Sequence, residues 1–217
     1  MMINIDGKNA QLHPTKIVCV AKNYLAHARE MNSEIPQSPC FFLKPLSSLI
    51  ADGEDIVLPK LSQRVEHEVE LAVVIGRKIK NISKEDALSC VLGYSIILDI
   101  TARDIQLRAK NMGMPWAEAK GYDSFAPFGP CLVSAREFDP SAVDISLKVN
   151  GKIKQNGNTR DMVFKIPELI SKVSQIMTLE EHDIIATGTP VGVGVINSGD
   201  ILEAEIQGIG VLTNPVK

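Results

Sequence analysis

Three carboxylates stand where they could hold a hard cation. In His67-Glu68-Val69-Glu70-Leu71-Ala72-Val73-Val74-Ile75 two glutamates alternate with apolar residues. Read as a strand, the segment puts Glu68 and Glu70 on one face with Cα atoms roughly 7 Å apart, while Val69, Leu71, Val73 and Ile75 fill the other. Neighbouring carboxylates at the head of an apolar strand repel each other and lose solvation, and a bound cation removes both penalties. Asp99 follows a second apolar run, Tyr94 to Leu98, and sits just before Thr101, so its carboxylate emerges at a strand-to-helix junction. Three oxygen donors, with water in the remaining positions, suit Mg2+ or Mn2+. The same residues also suit a solvated edge face beside a helix cap.

Acid–base candidates lie elsewhere in the chain. His27 and Glu30 are three apart and share a face if their segment is helical; the imidazole is then a general base and the carboxylate fixes its tautomer. Lys120, four residues after the only tryptophan, Trp116, is placed to bind a substrate carboxylate or protonate a carbanion. Both features are also common on ordinary surfaces. Asp183 to Pro190 reads as a strand entering a glycine-rich loop, which has no Gly-Lys-Ser/Thr ending and opens no dinucleotide fingerprint. Its backbone amides and the Thr189 hydroxyl are available to an anion, or the loop is a plain turn.

Short strands must position these groups. Ile17 to Val20, Glu68 to Ile75, Tyr94 to Ile100 and Ile145 to Val149 are rich in β-branched residues and bounded by turn formers. Asn150-Gly151 predicts a hairpin, and Gly199 to Thr213 reads as further strands punctuated by Gly208 and Gly210. Helices are predicted from Ser83 to Leu92, with Asp86 in a capping box and Gly93 as the stop, and from Thr101 to Lys110, with Asp104 completing a second box. Pro167 to Met177 carries one apolar helical face, and Tyr24 to Asn32 is a weaker helix. This mixture predicts a β-rich α+β domain; the alternation is too irregular for a Rossmann fold or a TIM barrel.

Bulk properties narrow the function. The 217 residues suffice for one domain with a full core, and 45% hydrophobic with 23% charged residues is ordinary globular usage. A net charge of -3 without a basic run argues against nucleic acid or an anionic membrane as partner. The first fifteen residues lack a signal-peptide core, and no apolar run approaches the ~20 residues of a membrane span. Cys19, Cys40, Cys90 and Cys131 form no Cys-x-x-Cys clip and stand in apolar surroundings, which predicts reduced thiols and a cytoplasmic location.

In order along the chain, these pieces resemble the fumarylacetoacetate hydrolase family, in its short single-domain branch of acylpyruvate hydrolases and oxaloacetate-processing enzymes. The matching stretches are Asn23-Tyr24 with His27 and Glu30, Phe42-Leu43-Lys44-Pro45, His67 to Leu71, and Asp99 to Gln106. Pro115-Trp116 with Ala119-Lys120, Asn150-Gly151, and Thr187 to Pro190 with Gly192-Val193-Gly194 complete the set. The resemblance implies a short N-terminal segment, residues 1–15, before one catalytic domain, residues 16–217, folded as a mixed β-sandwich roll with a few peripheral helices and paired as a homodimer. It implies Mg2+, with Mn2+ as a substitute, on Glu68, Glu70 and Asp99, and catalytic roles for His27 and Glu30 on a mobile lid and for Lys120. Lys22, Arg103, Gln106 and Thr189 are implied to bind a small 2-oxo acid. One departure stands out: Lys22, after Ala21, occupies a place where many relatives carry arginine, and lysine lacks the bidentate fork that grips a carboxylate. The implied reaction is hydrolysis of the C–C bond of acylpyruvates, with oxaloacetate decarboxylation or keto–enol tautomerisation through the same enolate. The alternatives are an isomerase or decarboxylase of aromatic-degradation diacids, and a metal-binding structural protein that has lost its chemistry.

Overall fold

The computed structural model describes residues 1–217. Strands β1 (Met2–Ile5), β2 (Lys8–Gln11) and β3 (Ile17–Ala21) precede helix α1 (Leu25–Glu30). Then come β4 (Cys40–Lys44), β5 (Leu49–Ile50), β6 (Val65–His67), β7 (Val69–Ile75), β8 (Val91–Leu98) and β9 (Thr101–Ala102). Helices α2 (Arg103–Asn111) and α3 (Ala117–Lys120) follow, and β10 (Ala126–Ser134) leads to the hairpin β11 (Asp144–Val149) and β12 (Lys152–Asn158). Helix α4 (Ile166–Ile176) and strands β13 (Ile184–Ala186), β14 (Gly194–Val195), β15 (Ile201–Ile206) and β16 (Gly210–Pro215) complete the chain.

The largest sheet runs β2-β1-β10-β8-β7-β13-β3-β4, with β5 attached to β10. A second sheet, β12-β11-β15-β16, packs over one of its faces, and a small third sheet joins β14, β6 and β9. Period-two patterning fills the space between the two main sheets. Val69, Leu71, Val73 and Ile75 of β7 meet Ile145, Leu147, Leu202 and Ala204 in one core cluster. Ala72 and Val74 point the other way, into a smaller cluster with Ile17, Cys19, Ile97 and Ile184. Central strands are therefore apolar on both faces, and the architecture is β-rich α+β as its strand-dominated sequence predicts. Residues 1–15 are built into it: β1 and β2 pair as a hairpin, and β1 lies parallel to β10.

Some local expectations change. The segment Ser83 to Leu92 forms only a 3-10 turn at Ala87–Cys90, although the Asp86 amide does donate to the Ser83 hydroxyl and that hydroxyl in turn donates to the Asp86 carboxylate. Val91 is already extended, because pairing with β7 outweighs a weak local helix signal. Gly93 is no helix stop; it sits in β8 where a Cβ would lie 2.3 Å from the Val133 carbonyl oxygen of β10. Helix α2 begins at Arg103, because Thr101 pairs with Glu66 in the small sheet. Asp104 accordingly caps nothing at Thr101 and accepts instead from the Ser62 hydroxyl and the Gln63 amide. Glu68 lies at a break between β6 and β7 rather than inside one strand. All four cysteines are free thiols, but Cys40 is exposed on the edge strand β4 instead of buried among apolar groups. No helix is long and apolar enough to cross a membrane.

The close approach at Gly93 yields a test. Gly93→Ala should force β8 from β10 and lower stability by about 1–3 kcal/mol, read as a drop in the urea midpoint at unchanged m-value. An unchanged midpoint would show that the two strands separate at little cost.

Candidate active site

The end of β7, the turn after β8, and helices α1 and α3 meet at one pocket. Glu68, Glu70 and Asp99 form its floor, with one carboxylate oxygen of each inside a 4.8 Å cluster, and all three are buried. Alternation along β7 turns Glu70 to the face opposite the main core, and the backbone bond from Asp99 N–H to the Glu68 carbonyl, 2.9 Å, locks the two segments together. Lys120 donates to Glu68 (3.0 Å) and to Asp99, while Lys44 donates to the other oxygen of Asp99 at 2.8 Å. Arg103 spreads across Glu66, Glu68 and the Gln106 carbonyl.

Glu70 is the carboxylate without a cation against it. Its contact is the Gly188 amide, at 2.7 Å. Burial, followed by repulsion from Asp99 and Glu68, pushes its pKa well above the usual carboxylate range. For Glu68 burial acts the same way, but Lys120 and Arg103 outweigh it and hold the group well below that range. Burial also opposes the charge on Lys120, yet Asp99 and Glu68 raise its pKa. The hydroxyl of Tyr24, within the field of Glu70, is buried without a protein partner. Clustered oxygen donors, one carboxylate uncompensated and a neighbouring hydroxyl unspent, fit a hydrated Mg2+ or Mn2+ held by Glu68, Glu70 and Asp99.

Above the floor lies α1. His27 Nδ1 is 3.0 Å from Glu30 Oε2, and Glu30 Oε1 accepts from the Gly192 amide at 3.0 Å. The glycine-rich loop thus gives its amides to the protein's own carboxylates, Gly188 to Glu70 and Gly192 to Glu30, and not to an outside anion. Gly188 can do so because its backbone has φ +96 and a Cβ would lie 2.7 Å from that of Asn23.

The structure brings every residue of the expected site to this pocket except Glu30, which stands behind His27. Their availability differs. The Thr189 hydroxyl already donates to the Val69 carbonyl and accepts from Gln155, so it has no proton left for an anionic ligand. Arg103 gives three of its five N–H groups to Glu66, Glu68 and Gln106, which fixes Glu68 in place and leaves two unspent. Gln106 accepts from Arg103 through its oxygen and keeps its side-chain NH2 for a ligand. Lys22 is unpaired. Sequence reasoning gave no role to Lys44, Glu66, Gln155 or Lys110; the only signal for Lys44 was its place in a motif, and the others carry no local pattern.

Comparison with known proteins identifies the family. Residues 16–217 match the model for the C-terminal domain of fumarylacetoacetate hydrolase. The chain is 47% identical over 195 residues to a mitochondrial oxaloacetate tautomerase of Arabidopsis thaliana, covering 90% of this chain and 87% of that one. It is 45% identical over 195 residues to a mitochondrial oxaloacetate decarboxylase of Dictyostelium discoideum, with 89% of each covered. Among solved structures, fumarylpyruvate hydrolase from Pseudomonas aeruginosa, in complex with Mn2+ and pyruvate, aligns with a TM-score of 0.94 at 33% identity, over 100% of this chain and 95% of that one.

The raised pKa of Glu70 fixes the sign of a stability effect in metal-free protein. A carboxyl group whose pKa is higher in the folded state favours folding while protonated, and that contribution is lost as pH rises from the unfolded value to the folded one. In EDTA, Glu70→Gln should therefore melt a few degrees above wild type at about pH 8, with the gain shrinking toward roughly pH 4–5. Adding Mg2+ should raise the wild-type melting temperature and leave the variant unmoved. A variant that melts lower than wild type at pH 8 would contradict the strained state of Glu70.

Proposed function

Because the chain belongs to the fumarylacetoacetate hydrolase family, we propose that it is a divalent-metal enzyme that interconverts the keto and enol forms of small 2-oxo acids, with oxaloacetate as the leading substrate. The observation that carries this reading is His27, backed by Glu30, lining the same pocket as the Glu68, Glu70 and Asp99 floor. A cation on those three carboxylates supplies Lewis acidity to the oxygens of the 2-oxo acid.

The remaining work falls to side chains. With Nδ1 donating to Glu30, His27 presents a basic Nε2 to the pocket. Nε2 takes a proton from C3, the C–H electron pair forms the C2–C3 double bond, and the 2-oxo oxygen accepts the displaced electrons and then a proton. Lys120 has spent two of its three N–H groups on Glu68 and Asp99, and the third is free to donate to that oxygen as charge gathers there. Phe42, 4.9 Å from the Lys120 ammonium, shields this contact from water.

The two oxaloacetate-processing relatives move this chemistry ahead of acylpyruvate hydrolysis, the reaction placed first on sequence grounds. Hydrolysis stays as the second reading, favoured by the likeness to a fumarylpyruvate hydrolase; His27 would then deprotonate a water aimed at the distal carbonyl.

Wild-type protein with Mg2+ should accelerate loss of the oxaloacetate enol absorbance, and EDTA should abolish the acceleration. Glu30→Gln keeps the shape of the lid but removes the charge behind the imidazole, and should slow the reaction by about 100-fold or more. Undiminished turnover in Glu30→Gln would remove His27 from the role of base. Acetylpyruvate cleavage on the same preparations decides the second reading.

A further inference from the structure

The floor of the pocket is acidic, but its mouth is basic. Lys44, Arg103 and Lys120 are each held by floor carboxylates. Lys22 and Lys110 also line the pocket, and neither is in an ion pair. Lys110 sits in the last turn of α2, with its ammonium 5.2 Å from the centre of the Trp116 ring. That contact sets the exposed side chain along the pocket wall. Lys22 occupies the left-handed backbone region, φ 58, at the turn between β3 and α1. Partial burial, Arg103 and Lys22 together depress the pKa of Lys110, so the positive charges at the mouth crowd one another.

Crowded, unpaired cations beside an acid-binding floor are relieved by a second anion. We propose that Lys110, held against Trp116, and Lys22 form a subsite for the distal carboxylate of the substrate, so that the enzyme prefers 2-oxo diacids to 2-oxo monoacids of the same length. This rests on the 2-oxo acid reading of the floor and adds to it the charge at the substrate's far end. Oxaloacetate carries a carboxylate there, whereas acetylpyruvate ends in an acetyl group. Lysine at position 22 suits the arrangement: two separate point charges can share one carboxylate without the rigid fork of an arginine.

The test compares two five-carbon acids that differ only at the far end, 2-oxoglutarate and 2-oxopentanoate, by calorimetric titration of the Mg2+-loaded protein. Wild type should bind the diacid about tenfold more tightly, the scale of a charge-assisted contact at a partly exposed rim. Lys110→Gln should bring the two affinities together, Lys110→Arg should keep most of the preference, and K110E should reverse it. Lys110 is exposed and outside the core, so these variants should keep the wild-type melting temperature, which controls for folding. Equal affinities in wild type, or an unchanged ratio in Lys110→Gln, would overturn the subsite. A protein that binds the two acids as expected yet turns over neither oxaloacetate nor acetylpyruvate would leave the subsite standing and overturn the proposed reaction instead.

Discussion

Four carboxylates, Glu66, Glu68, Glu70 and Asp99, are sealed within one region of the fold, each no more than 5% exposed. Burying an ion costs several kcal/mol even after the protein relaxes, so each carboxylate must be matched by a donor brought from elsewhere. That demand explains why such distant pieces of chain converge. Lys44 comes from β4, Arg103 from the start of α2, Lys120 from the end of α3, and the Gly188 amide from the loop after β13. The matching is incomplete only at Glu70, whose one donor is the Gly188 amide. The sheets provide the rigidity that holds it uncompensated.

The same accounting separates residues that act from residues that hold. Arg103 carries five N–H donors in a planar fork and places three of them on three separate acceptors, a geometry lysine cannot reproduce. Gln155, fully buried, accepts from the Val69 amide, bonds to His67 Nδ1, and donates to the Thr189 hydroxyl and the Pro190 carbonyl. It therefore fixes the base of β7 and the glycine-rich loop together without facing the pocket. Glu30 joins α1 to that loop through Gly192, so the imidazole of His27 and the amide on Glu70 belong to one connected frame.

How much of this was legible in the sequence depends on the range of the signal. Alternation in β7 was enough to put Glu70 on the face away from Val69 and Leu71, because strand periodicity is a local property, whereas the break at Glu68 left no such signal. The His27–Glu30 pairing was legible for the same reason, as was the Asn150-Gly151 hairpin. The segment after Ser83 misled because its cap forms, yet Val91 onward is claimed by β7, a partner that no local pattern reveals. Thr101 and Asp104 misled in a similar way, each bonded to a segment near residues 62–66. Thr189 was read as free because sequence shows which groups a side chain carries, not which of them its neighbours already use. Lys110 gave no signal, since its position depends on the fold of α2 against the turn that carries Trp116.

The central place of β3 has a consequence for how the protein is made. All five of its residues are buried, and it lies between β4 on one side and β13 on the other, with Ile17 registered against Ile184. A ribosome emitting about 5–20 residues per second delivers β13 on the order of ten seconds or more after β3. Throughout that interval Ile17, Val18, Cys19 and Val20 form an apolar strand with one edge unsatisfied, long after β4 has emerged to cover the other. The nascent chain thus lacks the partner for one edge of β3 until β13, Ile184–Ala186 of 217 residues, has been synthesised, and an unpaired strand edge of that kind is a template for association with other chains.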